Sequence, residues 1–396
     1  GVDVEPRGVP TGGVAMTRWG SRLLVASRQN CGSLEAPAFA CRGWGGAVLT
    51  TLMWFDHTWP LRRPFNSRLA PVGLPRCPHD AMGLDRQGEE MKLATTSIAA
   101  IMAAGSAFAD CETIVFSDVG WTDITATTAA TAVLLKALGY ETDIKVLSVP
   151  VTYQSLANGD VEVFLGNWMP TMEGDIAPYR EAGTVDTVRA NLEGAKYTLA
   201  TNAVGAELGI TSFGEIAGQA EALDSTIYGI EPGNDGNRLI LDMIEQDAFG
   251  LSDFEVAESS EQGMLAQVAR ADRRGEPVVF LGWEPHPMNA NFDLTYLEGG
   301  DDWFGPNLGG ATVYTNTTAG FVGECPNVGQ LLQNLEFSLQ MENEIMGMIL
   351  DEGADPEEAA TQWITQNPGV LDTWLEGVTT NGGEDGLAAV KSELGV

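Results

Sequence analysis

Three tryptophans stand in closely similar local settings. Trp121 follows FSDVG, Trp168 follows FLGN and precedes Met-Pro, and Trp283 follows FLG and precedes Glu-Pro. Each reads as an apolar strand that runs out at a glycine, with a large aromatic at its carboxyl end. In open α/β sheets that edge is where ligands bind. One such indole would ordinarily be packing or a loop anchor, whereas three with one grammar point to a shared aromatic pocket. An indole face is electron-rich, and a desolvated cation above it gains about 0.5–2 kcal/mol per ring. Several rings together suit a methylated ammonium, whose charge is diffuse and which carries no N–H to satisfy. Asp123, two residues after Trp121, can supply a counter-charge or cap the following helix, and the two roles are compatible. In the loop Glu231-Pro232-Gly233-Asn234-Asp235-Gly236-Asn237, Asn234 offers an amide to a ligand hydroxyl or serves a plain turn.

The elements that must hold these residues alternate along the chain. Residues 113–119 read as a strand. Residues 124–138 read as a helix opened by Thr122 or Asp123 and closed by Gly139. A strand at 143–149, a short helix at 152–157 and a strand at 161–165 follow. Further on, 225–230, 277–281 and 312–314 read as strands, and 237–246 and 263–273 as helices. From Asn327 the pattern is mainly helical, at 327–350, 356–365 and 369–376. Repeated βαβ units predict an α/β fold in which each unit is a mostly parallel sheet flanked by helices. Two such units and a helical tail predict two lobes. Lobe I takes 110–194 and, on the chain's return, 311–396; lobe II takes 195–310, and at least two crossings form the hinge.

Composition narrows the function. The chain has 396 residues with 55 Asp+Glu against 21 Lys+Arg, a formal net charge of −34. A nucleic-acid binder working through its own basic surface is excluded, because neutralising phosphates needs Lys and Arg. Electrostatic docking on anionic lipid is disfavoured for the same reason. The totals hide a break at Met91: residues 1–90 hold ten Arg but no Lys, Ile or Tyr. Residues 91–109 then read as a secretory signal peptide, with Lys92 as the basic region, an apolar stretch at 93–104 and an A-x-A site at Ala107-Phe108-Ala109. The rival reading is a buried Ala-rich helix. A signal in the interior makes Met91 the expected start and residues 1–90 a spurious upstream extension with little stable fold; a functional N-terminal domain is the alternative. Asp110 before Cys111 does not fit a lipoprotein signal. The expected product is therefore a periplasmic monomer, cleaved after Ala109 and not inserted in the membrane. Only Cys111 and Cys325 remain beyond Ala109. An oxidising compartment predicts a disulfide between them, with two buried free thiols as the alternative.

The motifs DVGWTD (118–123), FLGNWMP (164–170), EGAKY (193–197), EPGNDGN (231–237) and FLGWEPH (280–286) together closely resemble the periplasmic choline-binding proteins of ABC importers, in the glycine betaine/choline group of substrate-binding proteins. The resemblance spans 110–396 and covers nothing in 1–90. It implies a two-lobed type II Venus-flytrap fold that encloses its ligand and delivers it to an ABC permease. It also implies an aromatic box of Trp121, Trp168, Tyr197 and Trp283, with Asp123 facing the ammonium or hydroxyl end and Asn234 bonding the hydroxyl. Tyr197 is promoted by the resemblance alone. A betaine carboxylate would need cationic or N–H donors, and Asp123 would repel it. Choline is therefore the expected ligand, acetylcholine a weaker one, and a glycine betaine or proline betaine site the alternative. No cofactor or metal is expected. His286 is the only histidine beyond Ala109, and no G-x-S-x-G, H-E-x-x-H or Walker A pattern occurs. A carboxylate-pair hydrolase on a two-lobed scaffold remains the rival class.

Overall fold

A computed structural model of the protein describes residues 111–396. The expectations for residues 1–90 and for the signal peptide at 91–109 lie outside the described residues. Among those described, nine strands form one sheet: β1 Thr113–Asp118, β2 Glu141–Val146, β3 Val163–Met169, β4 Val185–Asn202, β5 Thr226–Tyr228, β6 Glu255–Ala257, β7 Val279–Glu284, β8 Leu294–Tyr296 and β9 Gly310–Thr318. Their order is β2-β1-β3-β9-β4-β7-β5-β6, with β8 paired to β4. The ends of the sheet are parallel, β2-β1-β3 on one side and β7-β5-β6 on the other. Parallel neighbours need crossover connections, and helices supply them here. The centre is antiparallel, made by β9 against β3 and β4, and by β4 against β7.

The 18-residue β4 has no counterpart in the sequence reading, for a physical reason. Its pairing with β9 shifts register between Thr187 and Arg189, between Ala190 and Leu192, and between Glu193 and Ala195. Each bulge sends the following side chains to the opposite face, so the two-residue alternation that marks a strand is broken. β9 is likewise longer than the three residues expected at 312–314.

Helix α1 (Thr122–Ala137) is buried along nearly its whole length. The sheet lies on one side of it, and the helices Leu339–Leu350 and Pro356–Gln366 pack on the other. Its threonines tolerate this because their hydroxyls bond back into the helix, Thr127 to the Asp123 carbonyl at 3.1 Å and Thr131 to the Thr127 carbonyl at 2.8 Å. Helix α2 is Val149–Asn158 and α3 is Glu173–Ala182. The stretch expected as one helix over 327–350 is two, Pro326–Asn334 and Leu339–Leu350. Between them the Phe337 N–H bonds the Asn191 carbonyl, and Ser338 caps the second helix through the Met341 N–H. A closing helix at Gly386–Leu394, capped by Asp385, was not anticipated.

Cys111 and Cys325 form a disulfide across 214 residues of chain, tying the segment just before β1 to the junction between the short helix Phe321–Glu324 and the helix Pro326–Asn334. Closing so long a loop restricts the unfolded chain, which is worth about 2–5 kcal/mol. The double variant Cys111→Ser/Cys325→Ser is expected to lose about that much in urea denaturation, from the same chain-entropy effect. An unchanged unfolding midpoint would show that the bridge adds nothing.

Candidate ligand-binding site

The turn from β1 into α1 is built by Asp118 and Gly120. Gly120 has φ +82, and its N–H bonds Asp118 Oδ1 at 2.7 Å, while Thr125 Oγ1 donates to Asp118 Oδ2 at 2.7 Å. This turn makes Trp121 the N-cap residue of α1, so neither Thr122 nor Asp123 caps the helix as expected. Asp123 lies in the first helical turn, its carboxylate available for other work.

Trp168 and Trp283 lie within β3 and β7 rather than beyond their ends. The glycines before them do not break the strands. Gly166 instead falls at the bulge where β3 shifts register against β9, and a Cβ there would come 2.7 Å from Ile124 Cγ1. Glycine thus lets α1 press on the strand that carries Trp168. Tyr197 on β4 is the register partner of Trp283 on β7.

Six residues singled out in the sequence, Trp121, Asp123, Trp168, Tyr197, Asn234 and Trp283, line one cavity together with Ile230 and Asp235. The empty volume between these residues is about 270 Å³, part of it continuous with solvent. The four aromatic residues are only 4–5% exposed. Ring centroids are 6.0 Å apart for Trp168–Tyr197 and 6.3 Å for Tyr197–Trp283, with interplanar angles of 62° and 81°. No two of these rings stack face to face, so their faces are not consumed by one another.

The polar lining is acidic. Asp123 is 1% exposed; its Oδ2 accepts the Trp168 indole N–H at 3.1 Å, and its buried Oδ1 has no partner. Burial, with the nearby Glu261 charge, pushes its pKa up to about 8. Asp235, also fully buried, accepts the Asn234 amide at 3.1 Å through Oδ1 and leaves Oδ2 without a partner. Its pKa rises to about 6, chiefly through burial. Asn234 caps the helix Asp235–Glu245: its Oδ1 accepts the Asn237 N–H at 3.1 Å and the Tyr197 hydroxyl at 2.9 Å. That acceptor is occupied, so Asn234 can only donate to a ligand, through its remaining amide hydrogen. The glycine at 236 is required here, because a Cβ would lie 2.1 Å from the Tyr197 hydroxyl oxygen.

The basic residues near the motifs are engaged elsewhere. Lys196 pairs with Glu284 at 2.9 Å, and Arg238 with Asp175 at 2.8 Å. His286 Nδ1 accepts the Met288 N–H at 2.9 Å, and Nε2 meets Glu261 Oε1 at 3.2 Å. Among the described residues no Lys, Arg or His lines the cavity. Nor is any group of three or more His, Cys, Asp and Glu arranged to hold a metal. Sequence reasoning missed Asp235, although it stands beside Asn234 in the quoted loop, and Glu231, whose Oε1 accepts the Trp121 indole N–H at 2.7 Å. Burial raises the Glu231 pKa to about 7. An acidic, aromatic-walled cavity of this kind suits a small organic cation bearing a hydrogen-bonding group.

The Asp123–Trp168 bond makes the carboxylate observable in the empty protein. In the ligand-free protein the Trp168 indole N–H resonance is expected to titrate with a midpoint near 8, moving as the acceptor gains charge with rising pH. The transition should vanish in Asp123→Asn. A flat trace from pH 5 to 9 in the parent would show that Asp123 does not titrate there, roughly the window its shift defines.

No helix among the described residues is long and apolar enough to cross a membrane. A solved ABC-transporter choline binding protein in complex with choline is 71% identical, aligns over 72% of this chain and 98% of its own, and has a TM-score of 0.71. An ABC-transporter choline binding protein in an unliganded semi-closed conformation is also 71% identical over 72% and 99%, with a TM-score of 0.68. The uncharacterized protein ORF1 of Chromohalobacter salexigens is 44% identical over 154 residues, 39% of this chain and 99% of that protein. Residues 112–366 match the family model OpuAC, the substrate binding domain of ABC-type glycine betaine transport systems, and the chain belongs to that family.

Proposed function

We propose that the protein is the periplasmic component of an ABC importer that captures choline by lobe closure and hands it to the permease. The observation that carries this reading is the partnerless, buried Asp123 Oδ1 in a cavity walled by four aromatic residues and lined by no cationic side chain. A trimethylammonium group has no N–H to satisfy, so ring faces and a carboxylate are the partners it needs. The hydroxyl end can donate to a carboxylate oxygen and accept the free Asn234 amide hydrogen. A betaine carboxylate would meet Asp123 and Asp235 with no cation to offset them. Choline is also the ligand of the 71%-identical solved protein.

In this reading lobe I, residues 110–194 and 311–396, supplies Trp121, Asp123 and Trp168. Lobe II, residues 195–310, supplies Tyr197, Asn234 and Trp283. Both boundaries fall inside strands β4 and β9, which would serve as the hinge. Ligand held by one lobe recruits the other, shifting the open–closed equilibrium by its differential affinity. The protein binds and transports rather than catalyses, and it reaches the periplasm by cleavage after Ala109.

Calorimetric titration with choline, glycine betaine and a neutral sugar tests the assignment: choline should bind tightest and the sugar not at all. Trp168→Ala should weaken choline at least about tenfold, the value of one desolvated ring contact. Asp123→Asn should narrow the preference for choline over betaine. Equal binding of choline and betaine by the parent, or unchanged choline affinity in Trp168→Ala, contradicts the reading.

A further inference from the structure

Glu261 is the first residue of the helix Glu261–Arg274. It is 1% exposed yet lines no part of the cavity. Ser260 caps that helix through the Gly263 N–H, which leaves the Glu261 carboxylate free to reach outward. It reaches Thr122, the first residue of α1. Oε2 accepts the Thr122 backbone N–H at 2.9 Å, and Oε1 accepts the Thr122 hydroxyl at 2.6 Å. Helices leave their first N–H groups without acceptors, and Trp121 supplies no side-chain cap. The acceptor α1 lacks therefore comes from 139 residues away, beside the far end of the sheet.

The same carboxylate accepts a third partner, His286 Nε2 at 3.2 Å, which is in hydrogen-bond range when Nε2 carries the proton. The Met288 N–H on Nδ1 selects that tautomer. The imidazole in turn stands against the Trp283 indole, with ring centroids 4.9 Å apart. One buried side chain thus fixes the turn that bears Trp121 and Asp123, and it fixes the ring against which Trp283 rests.

We infer that Glu261 is a positioning residue that holds the closed form: it caps α1 from the opposite lobe only when the lobes meet, and so retains the ligand without touching it. This rests on the reading of capture by lobe closure. In an open form the Thr122 N–H and the Glu261 carboxylate would each face water, so their bonds form on closure and act after the ligand has entered. Their loss therefore shows in the dissociation rate and not in the association rate.

Stopped-flow tryptophan fluorescence with choline tests this on the parent, Glu261→Gln, Thr122→Val and the double variant. Glu261→Gln removes charge as well as acceptor strength, whereas Thr122→Val removes one bond and keeps every charge. Each single variant is expected to raise the dissociation rate about fivefold or more, as loss of a hydrogen bond to a charged group would. Association should change less than about twofold, and the double variant should lose less than the product of the singles. Ligand-free melting temperatures should stay near the parent's, and Thr122→Ser should restore the parent rate. Dissociation unchanged in Thr122→Val while Glu261→Gln alone accelerates it would mean that Glu261 acts by charge, overturning the proposal. So would equal loss of stability with and without choline. Failure of the parent to bind choline would instead refute the functional reading on which the proposal stands.

Discussion

A carboxylate taken out of water with one oxygen left unpartnered is among the costlier things a fold can hold. Asp123 is such a group: buried at the start of α1, with one oxygen bonded to the Trp168 indole N–H and the other without a partner. Among the described residues, the buried carboxylates whose charge bears on it, Glu261 and Glu342, have the same sign and cannot neutralise it. The site relieves this cost in two ways: by taking up a proton when empty, or by enclosing a cation. The aromatic walls favour the second when the cation is methylated. They exclude water, offer π-faces and give a strongly hydrated ion no replacement for its lost hydrogen bonds.

The rest of the molecule serves to bring these groups together without filling the space between them. Parallel βαβ ends are rigid carriers, and each delivers side chains to the carboxyl edge of its strands. The antiparallel centre does what the ends cannot: β9 and β4 join the two parallel ends, and β4 sets Tyr197 opposite Trp283. In the proposed division into lobes this long, bulged, antiparallel pair would be the hinge, since its ladder can flex where register already shifts. Around the cavity, charged side chains that would compete with a ligand are tied down in pairs, Lys196 to Glu284 and Arg238 to Asp175. Polar bonds that would cross the proposed lobe division include Trp121 to Glu231, Thr122 to Glu261 and Arg238 to Asp175.

The sequence made some of this legible and hid the rest for identifiable reasons. Short parallel strands announce themselves as apolar runs, so β1, β3 and β7 and their aromatic residues could be read locally, as could the Cys111–Cys325 pairing. β4 could not, because three register shifts scramble its alternation. The glycines before Trp168 and Trp283 suggested strand ends, yet they serve a bulge and close packing inside continuous strands. Asp123 looked like a helix cap because its spacing is that of one; only the turn at Gly120, which moves the cap back to Trp121, frees it. Tyr197 has no local signature at all, since its place is set by the strand opposite. Glu261 is the extreme case: its partners lie 139 and 25 residues away, and no window of sequence connects them.

The central claim is that the site selects its ligand by a positive charge buried among aromatic rings, not by shape or hydrophobicity. Comparing choline with 3,3-dimethylbutan-1-ol tests this most directly, because the neutral alcohol has the same shape and the same hydroxyl with carbon in place of nitrogen. Calorimetric competition should show the alcohol binding at least about a hundredfold more weakly, as loss of charge from several desolvated ring contacts requires. Affinities within a few-fold of each other would contradict the account.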